Sequence, residues 1–112
     1  MANREVSEAE KGTVDFAARV ISETVLATEG VASLLPVPPI HKGVIVTNLF
    51  GNVEVEIFVV VDYGVNIPEL SWEIQERVKD AFAEQTSLTA SHINIHIEGV
   101  DLSNVRKKEQ AL

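Results

Sequence analysis

Cysteine is absent from this sequence of 112 residues. Its absence excludes disulfide bonds, thiolate metal ligands and a cysteine nucleophile. The sequence also lacks an apolar run of roughly 18 residues, the length that a membrane-spanning helix needs. Its N-terminus lacks the apolar core of a signal peptide. From these absences we expect a cytoplasmic protein with no direct membrane span.

Basic residues are scarce as well, with 9 Lys and Arg against 17 Asp and Glu and a net charge of −8. Such a charge repels nucleic-acid phosphates at long range. The basic cluster Arg106-Lys107-Lys108 lies in a polar tail that we interpret as a solvated end. KH-type RNA-binding domains also place two helices on a three-stranded sheet, but their Gly-x-x-Gly loop is missing here. We therefore expect no nucleic-acid partner.

The chain length and a hydrophobic fraction of 46% predict a single domain across residues 1–112. Its polar ends, at about residues 1–12 and 101–112, are expected to be flexible. The pattern between those ends indicates helices and strands that can bury a common core.

The first helical pattern starts at Thr13, a suitable N-cap, and stops at Gly30, a typical C-terminal breaker. Within it, apolar residues recur at the spacing of one helix face: Val14, Ala18, Ile21 and Val25. An alternative interpretation places a short edge strand at residues 12–16 and starts the helix near Ala17.

The three prolines between residues 36 and 39 dominate the next segment. Proline removes a ladder donor and fixes φ, so residues 31–43 are predicted to form an extended connector outside the central sheet. After it, residues 44–50 and 53–61 are rich in β-branched side chains, and Gly51-Asn52 between them predicts a hairpin with a two-residue turn.

The second strand of that hairpin alternates in hydrophobicity. The face predicted to meet the helices carries Val53, Val55, Ile57, Val59 and Val61. The opposite face carries Glu54, Glu56, Phe58, Val60 and Asp62, which is acidic at one end and apolar at the other.

A second helix and a last strand complete the pattern. Asn66 is a suitable cap, and Pro68 falls in the first helical turn, where its missing N–H is harmless. The core stripe of this helix is Leu70, Ile74, Val78, Ala81 and Phe82. The last strand, residues 91–99, follows the preceding strand through a helix and should pair with it in parallel. We predict an α+β, two-layer sandwich: a small mixed sheet of three strands, or four, with two helices on one face.

Catalytic chemistry has no clear signal in the sequence. On a strand, His92 and His96 lie roughly 13 Å apart, too far to share one metal ion. Glu54, Glu56 and His96 share a face that we interpret as a solvated polar surface. We predict no catalytic residue, no cofactor and no metal site.

Protein interaction has better candidates. At about 100° per residue, Trp72 lies opposite the core stripe of its helix, where an apolar ring often anchors an interface; alternatively, the ring lies on its own helix or beneath the proline-rich connector. Phe58 and Val60, on the outer face of the sheet, are apolar residues that could likewise belong to an interface. The alternative is that the N-terminal segment covers them. The predicted interaction residues are Trp72, Phe58, Val60, Glu54, Glu56 and His96.

Four segments carry a family resemblance: residues 28–34, the turn at 62–69 with Tyr63, Gly64, Asn66 and Pro68, residues 75–79, and residues 93–100. Together they resemble the alkaline shock, or YloU-like, envelope stress response family over roughly residues 17–100. The chain departs from the family pattern in its N-terminal edge, which looks about one helical turn short. It departs again at its proline-rich residues 36–39, where members often have a glycine-rich, basic connector.

The resemblance implies a small cytoplasmic non-enzyme of cell-envelope homeostasis that self-associates or binds protein partners, sometimes at the membrane through an anchor protein. The family has no established catalytic residues to transfer. We therefore expect a homo-oligomeric scaffold or interaction protein. The alternative is a regulatory protein that binds and modulates a metabolic enzyme, such as one of lipid synthesis.

Overall fold

The computed structural model describes residues 8–36, 43–48, 51–86, 88–103 and 105. Its elements are α1 (Glu8–Leu26), β1 (Val31–Leu34), β2 (Val44–Thr47), β3 (Val53–Asp62), α2 (Ile67–Thr86) and β4 (Ala90–Asp101). The four strands form one mixed sheet, and both helices pack on the same face of it. The predicted α+β sandwich is confirmed.

Strand β3 is the centre of the sheet. Along one edge it pairs antiparallel with β1 and with β2, and along the other it pairs in parallel with β4, as predicted. The N–H of Phe58 donates to the Gly43 carbonyl at 2.8 Å, and the Phe58 carbonyl accepts from Leu35 N–H at 2.8 Å. Strands β1 and β2 therefore lie end to end on the same edge of β3.

The core lies between the sheet and the helices. Alternate residues of a strand share a face, so every second residue of β3 points at the helices. These five side chains are at most 2% exposed, and they meet the buried faces of α1 and α2: Val53, Val55, Ile57, Val59 and Val61 against Ala17, Ile21, Val25, Leu70, Ile74, Val78 and Phe82. Burying each large aliphatic side chain stabilises the fold by about 1.5–3 kcal/mol. Of the predicted α1 stripe, Ile21 and Val25 are fully buried, whereas Val14 and Ala18 are partly buried against the core and Ala17, which was not predicted, is fully buried. The predicted α2 stripe is buried except for Ala81, which lies at its margin and is partly exposed.

Helix α2 begins as predicted. The Asn66 side-chain oxygen accepts a hydrogen bond from the Glu69 N–H at 3.1 Å, which satisfies one of the otherwise unpaired donors of the first turn. Pro68 occupies the second helical position, where a backbone N–H would have no intrahelical acceptor, so its absence in proline costs nothing.

Helix α1 begins earlier than the sequence indicated. It has 19 residues and starts at Glu8 rather than Thr13, so residues 12–16 are helical and form no edge strand. The predicted start at Thr13 excluded the residues before Gly12, because a glycine there disfavours a long helix, but Gly12 lies inside α1. An internal glycine costs only about 1 kcal/mol relative to alanine, which the packing of the following three turns outweighs. Of the polar end predicted to be flexible, residues 8–12 belong to α1, and residues 1–7 lie outside the described residues.

Strand β1 was not predicted, because residues 31–43 were expected to form a connector outside the sheet. Only the last part of that segment is proline-rich, and Pro36 follows β1 without interrupting it. An edge strand needs ladder bonds on one side only, and a proline just beyond its end is tolerated. The fourth strand therefore comes from Val31–Leu34, while residues 37–42 of the predicted connector lie outside the described residues.

The hairpin of β2 and β3 is confirmed, but its predicted two-residue turn is wrong. Thr47 lies opposite Glu54, which leaves residues 48–53 between the paired positions. Strand β2 ends early because Asn48 adopts a φ of +55°, a left-handed conformation that asparagine tolerates better than most residues. The Asn48 carbonyl then accepts a hydrogen bond from the Gly51 N–H at 2.9 Å.

Candidate interaction surface

The sheet has a second face, which points away from the helices. We call it the outer sheet face and define it by Glu54, Glu56, Phe58 and Val60 of β3 with His92, Asn94 and His96 of β4. All four β3 residues are partly exposed, whereas their neighbours on the opposite face are buried. Among the residues that the structure describes, both helices lie on the other side of the sheet, so neither covers this face.

Glu56 organises the centre of the outer sheet face. One carboxylate oxygen accepts a hydrogen bond from Asn94 Nδ2 at 2.5 Å, and the other lies 2.6 Å from His96 Nε2. Because a carboxylate can only accept, Nε2 of His96 carries a hydrogen and donates a hydrogen bond to Glu56. The parallel register, with Glu56 opposite Asn94 and Phe58 opposite His96, brings these side chains of two strands together.

The same histidine stacks on an aromatic ring. The His96 and Phe58 rings have centroids 4.4 Å apart and planes inclined by only 10°. The imidazole is thus fixed on its face by Phe58 and on its edge by Glu56. Its side chain is still 41% exposed, and that of Glu56 is 31% exposed, so this ordered group is available to a second molecule.

Hydrogen bonding lowers the pKa of Glu56. The bond from Asn94 is the larger cause and the bond from His96 the next, and both favour the charged carboxylate over the neutral acid. Partial burial opposes them, because it disfavours charge, but it is the weaker effect. Glu56 is consequently a carboxylate at neutral pH, with both of its oxygens already engaged.

Val60 supplies an apolar part of the outer sheet face. Its neighbours across the two ladders are Ser33 on β1 and Gly99 on β4. A Cβ added at Gly99 would lie 3.8 Å from the Val60 side chain, at an ordinary van der Waals distance. Glycine has no Cβ, so this contact is absent. Two small neighbours therefore leave the flanks of Val60 uncovered, beside the Phe58–His96 stack.

Trp72 lies on the other side of the molecule. Its side chain is 65% exposed on α2, opposite the core stripe, as its position in the helical pattern predicted. It lines an open groove of about 570 Å³ beside the N-terminal end of α2, together with the carboxylate-bearing residues Glu29, Asp62, Glu69 and Glu73. The structure thus separates the predicted interaction residues into two surfaces, one on each side of the sandwich.

No group of three or more His, Asp or Glu side chains within the described ranges is arranged to hold a metal ion. His92 and His96 lie on the same strand but do not share a common ligand position. Of the two histidines, His96 is the one that contacts Glu56. Glu54, which was considered together with them, lies one ladder position further along the face.

A model of the alkaline shock protein 23 family, described as having a cell envelope-related function, matches residues 6–102. The chain belongs to this alkaline shock protein family. The match covers every helix and strand described above in full, and the resemblance to the YloU-like proteins is confirmed by the relatives that follow.

Three relatives illustrate the similarity. Uncharacterized protein Spy1614 of Streptococcus pyogenes serotype M6 is 38% identical over 68 residues, covering 61% of this chain and 56% of that protein. Uncharacterized protein YqhY of Bacillus subtilis is 32% identical over 69 residues, covering 62% and 51% respectively. Uncharacterized protein YloU of Bacillus subtilis is 25% identical over 76 residues, covering 68% and 63%. The chain thus spans about half the length of the first two relatives, and no solved structure matches it.

The turn that carried the family resemblance has a structural role in this member of the alkaline shock protein family. Gly64 adopts a φ of +91°, and a Cβ added there would meet no atom within 4 Å, so glycine is favoured by conformation rather than by space. The Tyr63 N–H donates to the Asp101 carbonyl at 3.1 Å and joins the turn to the end of β4, while the Tyr63 side chain is exposed. Asn66 and Pro68 begin α2. The turn therefore fixes how β3 passes into α2.

Gln75 was noted in the sequence only as part of a segment that resembles the family. In the structure its side-chain Nε2 donates to the Ile93 carbonyl at 2.8 Å and ties α2 to β4. A glutamine on the flank of an amphipathic helix is ordinarily solvated, so the sequence held no signal for this contact.

Two further observations concern the helices of this alkaline shock family chain. Neither helix of the described residues combines the length and the hydropathy required to cross a bilayer. Glu73 and Arg77, one turn apart on α2, form an ion pair at 4.0 Å between exposed side chains, a geometry that contributes little to stability.

Proposed function

We propose that this chain is a non-catalytic interaction or scaffold protein with a cell envelope-related role, and that the outer sheet face is its principal binding surface. The observation that carries the proposal is the ordered group of Glu56, Asn94, His96 and Phe58 at the centre of that face. The membership of the alkaline shock protein family supports the envelope-related part.

The order of this group favours binding. Side chains that are already fixed lose little conformational entropy when a partner covers them. The Phe58–His96 stack and Val60 present apolar surface beside the Glu56 carboxylate, whose charge is already hydrogen-bonded to Asn94 and His96. Protein interfaces commonly combine aromatic and apolar side chains with hydrogen-bonded polar groups.

Trp72 is the proposed second contact. Tryptophan is enriched among the residues that contribute most to binding energy, and this ring is largely exposed. Four carboxylate-bearing residues line the same groove, so a partner with basic groups fits this side of α2 better than an acidic one.

We further propose that the chain acts in the cytoplasm, that it self-associates, and that it reaches the membrane through a protein partner. The absence of cysteine is compatible with a reducing compartment. The second candidate function, regulation of a metabolic enzyme such as one of lipid synthesis, uses the same two surfaces and differs in the identity of the partner.

Affinity capture from cells tests the proposal, with Phe58→Ser as the disruptive variant and Phe16→Ser as its control. Phe16 is an aromatic residue, 42% exposed on α1, that lies away from the outer sheet face. Envelope or membrane-anchor proteins recovered with the wild type and with Phe16→Ser, but not with Phe58→Ser, would support the scaffold role. A soluble metabolic enzyme with that dependence would support the alternative. Identical recoveries from all three chains would contradict the outer sheet face as the binding surface.

A further inference from the structure

The last strand of the sheet, β4, has 12 residues and is the longest strand. It pairs with β3 along one edge, and no other strand of the described residues pairs with its second edge. An unpaired edge presents a row of backbone donors and acceptors, which natural proteins usually shorten, cover or protect with lysine or proline. Residues 90–101 contain neither lysine nor proline. The ladder with β3 shifts register at Ser91 and at Glu98, so the regular part of β4 runs from His92 to Ile97.

The register identifies the groups on this free edge. Phe58 directs its N–H and C=O towards β1 and β2, so its neighbours Ile57 and Val59 direct theirs towards β4. Because Ile57 lies opposite Ile95 in a parallel ladder, the bonds to it come from the residues on either side of Ile95. The backbone groups of Ile93, Ile95 and Ile97 consequently point outward.

The Gln75 contact supports this assignment independently. Its side chain donates to the Ile93 carbonyl at 2.8 Å, as expected for a carbonyl that points away from β3. Within the described parts of the chain, Gln75 covers one outward group, and no hydrogen bond engages those of Ile95 and Ile97. These isoleucine side chains are also only partly buried, in contrast to the fully buried residues of β3. Both backbone and apolar surface are therefore left uncovered at this edge.

We propose that the free edge of β4 pairs antiparallel with β4 of a second copy of this chain, with the two-fold axis at Ile95. This inference rests on the self-association included in the proposed function and names the contact that produces it. A two-fold axis at Ile95 places Ile93 opposite Ile97 of the second copy, so the outward groups of these residues meet their counterparts. The Ile93 carbonyl, which already accepts from Gln75, would use its second lone pair for the Ile97 N–H of the second copy.

The side chains around this axis are complementary. His92 falls opposite Glu98 of the second copy, and the symmetry generates the pair twice. Both side chains are exposed in the single chain. A histidine can donate a hydrogen bond to the carboxylate and adds charge attraction when protonated, and an opposite-charge pair across antiparallel strands is stabilising. Pairing through the edge also joins the two outer sheet faces into one continuous surface, and it leaves Phe58 and Val60 accessible to a different partner.

Charge exchange at the complementary pair is the first test. Dimer dissociation is measured by analytical ultracentrifugation for the wild type, His92→Glu, Glu98→Lys and the double variant. Two like-charge contacts in His92→Glu should raise the dissociation constant about tenfold. The double variant should recover the wild-type value, because the glutamate introduced at position 92 then faces the lysine introduced at position 98 of the second copy. Failure of the double variant to recover would contradict the register.

Backbone substitution is the second test. Ile95→Pro and Ile95→Ala both remove the half-buried side chain, but only proline removes the outward N–H. That N–H takes no part in the ladder with β3, so both variants should show similar circular dichroism. Ile95→Pro should be monomeric where Ile95→Ala still dimerises. Equal dissociation constants of the two variants would overturn the proposal, and the charge exchange tests it separately should Ile95→Pro not fold.

The absence of native cysteine makes disulfide cross-linking a clean third test. At the two-fold axis the Cα atoms of Ile95→Cys should lie about 5.5 Å apart, within disulfide range. The control Ser91→Cys, on the same strand, would place its two Cα atoms roughly 27 Å apart. Rapid covalent dimerisation of Ile95→Cys alone is expected, and equal rates for both would refute the register.

The outcomes separate this inference from the proposed function. A wild type that is monomeric at every concentration would overturn both self-association and the β4 contact, while partner capture through Phe58 would stand. An oligomer that ignores His92→Glu and Ile95→Pro would overturn the β4 contact and leave self-association in place.

Discussion

Glu56→Ala should destabilise the fold more than Glu54→Ala, although the two glutamates lie on the same face of the same strand. Glu56 accepts side-chain hydrogen bonds from Asn94 and His96. The carboxylate of Glu54 accepts none within the described residues, which makes Glu54→Ala a matched control for removal of a glutamate from β3.

The magnitude follows from those two hydrogen bonds. A hydrogen bond to a charged group contributes about 1.5–3 kcal/mol when it is well shielded. The Glu56 side chain is 31% exposed, and solvent screening reduces the contribution of exposed charges strongly. We therefore expect Glu56→Ala to lower the free energy of unfolding by about 1–2 kcal/mol, against at most about 0.5 kcal/mol for Glu54→Ala.

The difference between Glu56→Ala and the wild type should also depend on pH. The folded state lowers the pKa of Glu56 from 4.5, so the unfolded state takes up a proton first as the pH falls. The stabilisation by the carboxylate is complete above pH 4.5 and is lost progressively as the pH falls below that value through the lowered pKa. Urea unfolding at a series of pH values, followed by circular dichroism, measures both effects. Equal stabilities of the two glutamate variants at pH 7, or a difference that persists unchanged far into acid, would refute the reasoning.

Three further substitutions test the core, the cap and the surface, and all three are measured by urea unfolding. Phe82→Ala removes the largest fully buried side chain and should cost about 3–5 kcal/mol, so a loss below about 1 kcal/mol would contradict its place in the core. Asn66→Ala removes the α2 cap and should cost about 1 kcal/mol, whereas Asn66→Asp should retain most of the stability. Arg77→Ala breaks the exposed pair with Glu73 and should change stability by less than about 0.5 kcal/mol; a larger loss would mean that Arg77 has a further contact.

Much of the fold was accessible from local patterns. The alternation of residues 53–61 requires one buried face, and the structure buries all five residues of it. The Asn66 cap and the apolar stripe of α2 were predicted because each depends on neighbours within one helix. The errors in α1 and β1 arose where one residue type that disfavours regular structure decided the prediction for a whole segment. Because of Gly12, the residues before it were not assigned to α1. Because of the prolines after residue 35, the short strand β1 before them was predicted as part of a connector.

The candidate surface was accessible only as a set of separate residues. Sequence periodicity placed Glu56, Phe58 and His96 on one face, but it gave no register between β3 and β4. That register depends on the length and packing of α2 between them. The contacts of His96 with Glu56 and with Phe58 therefore could not be predicted. The outward groups of β4 were hidden for the same reason, since their direction follows from which residues bond to β3.

Photocross-linking in living cells tests most directly whether the outer sheet face binds a protein. A photoreactive phenylalanine analogue replaces Phe58 in one strain and Phe16 in another, so the two probes have the same chemistry on opposite sides of the sandwich. Discrete adducts of higher mass from position 58, each containing another protein or a second copy of the chain, and none from position 16, are the expected result. Adducts absent from position 58, or the same from both positions, would contradict the assignment of binding to this face.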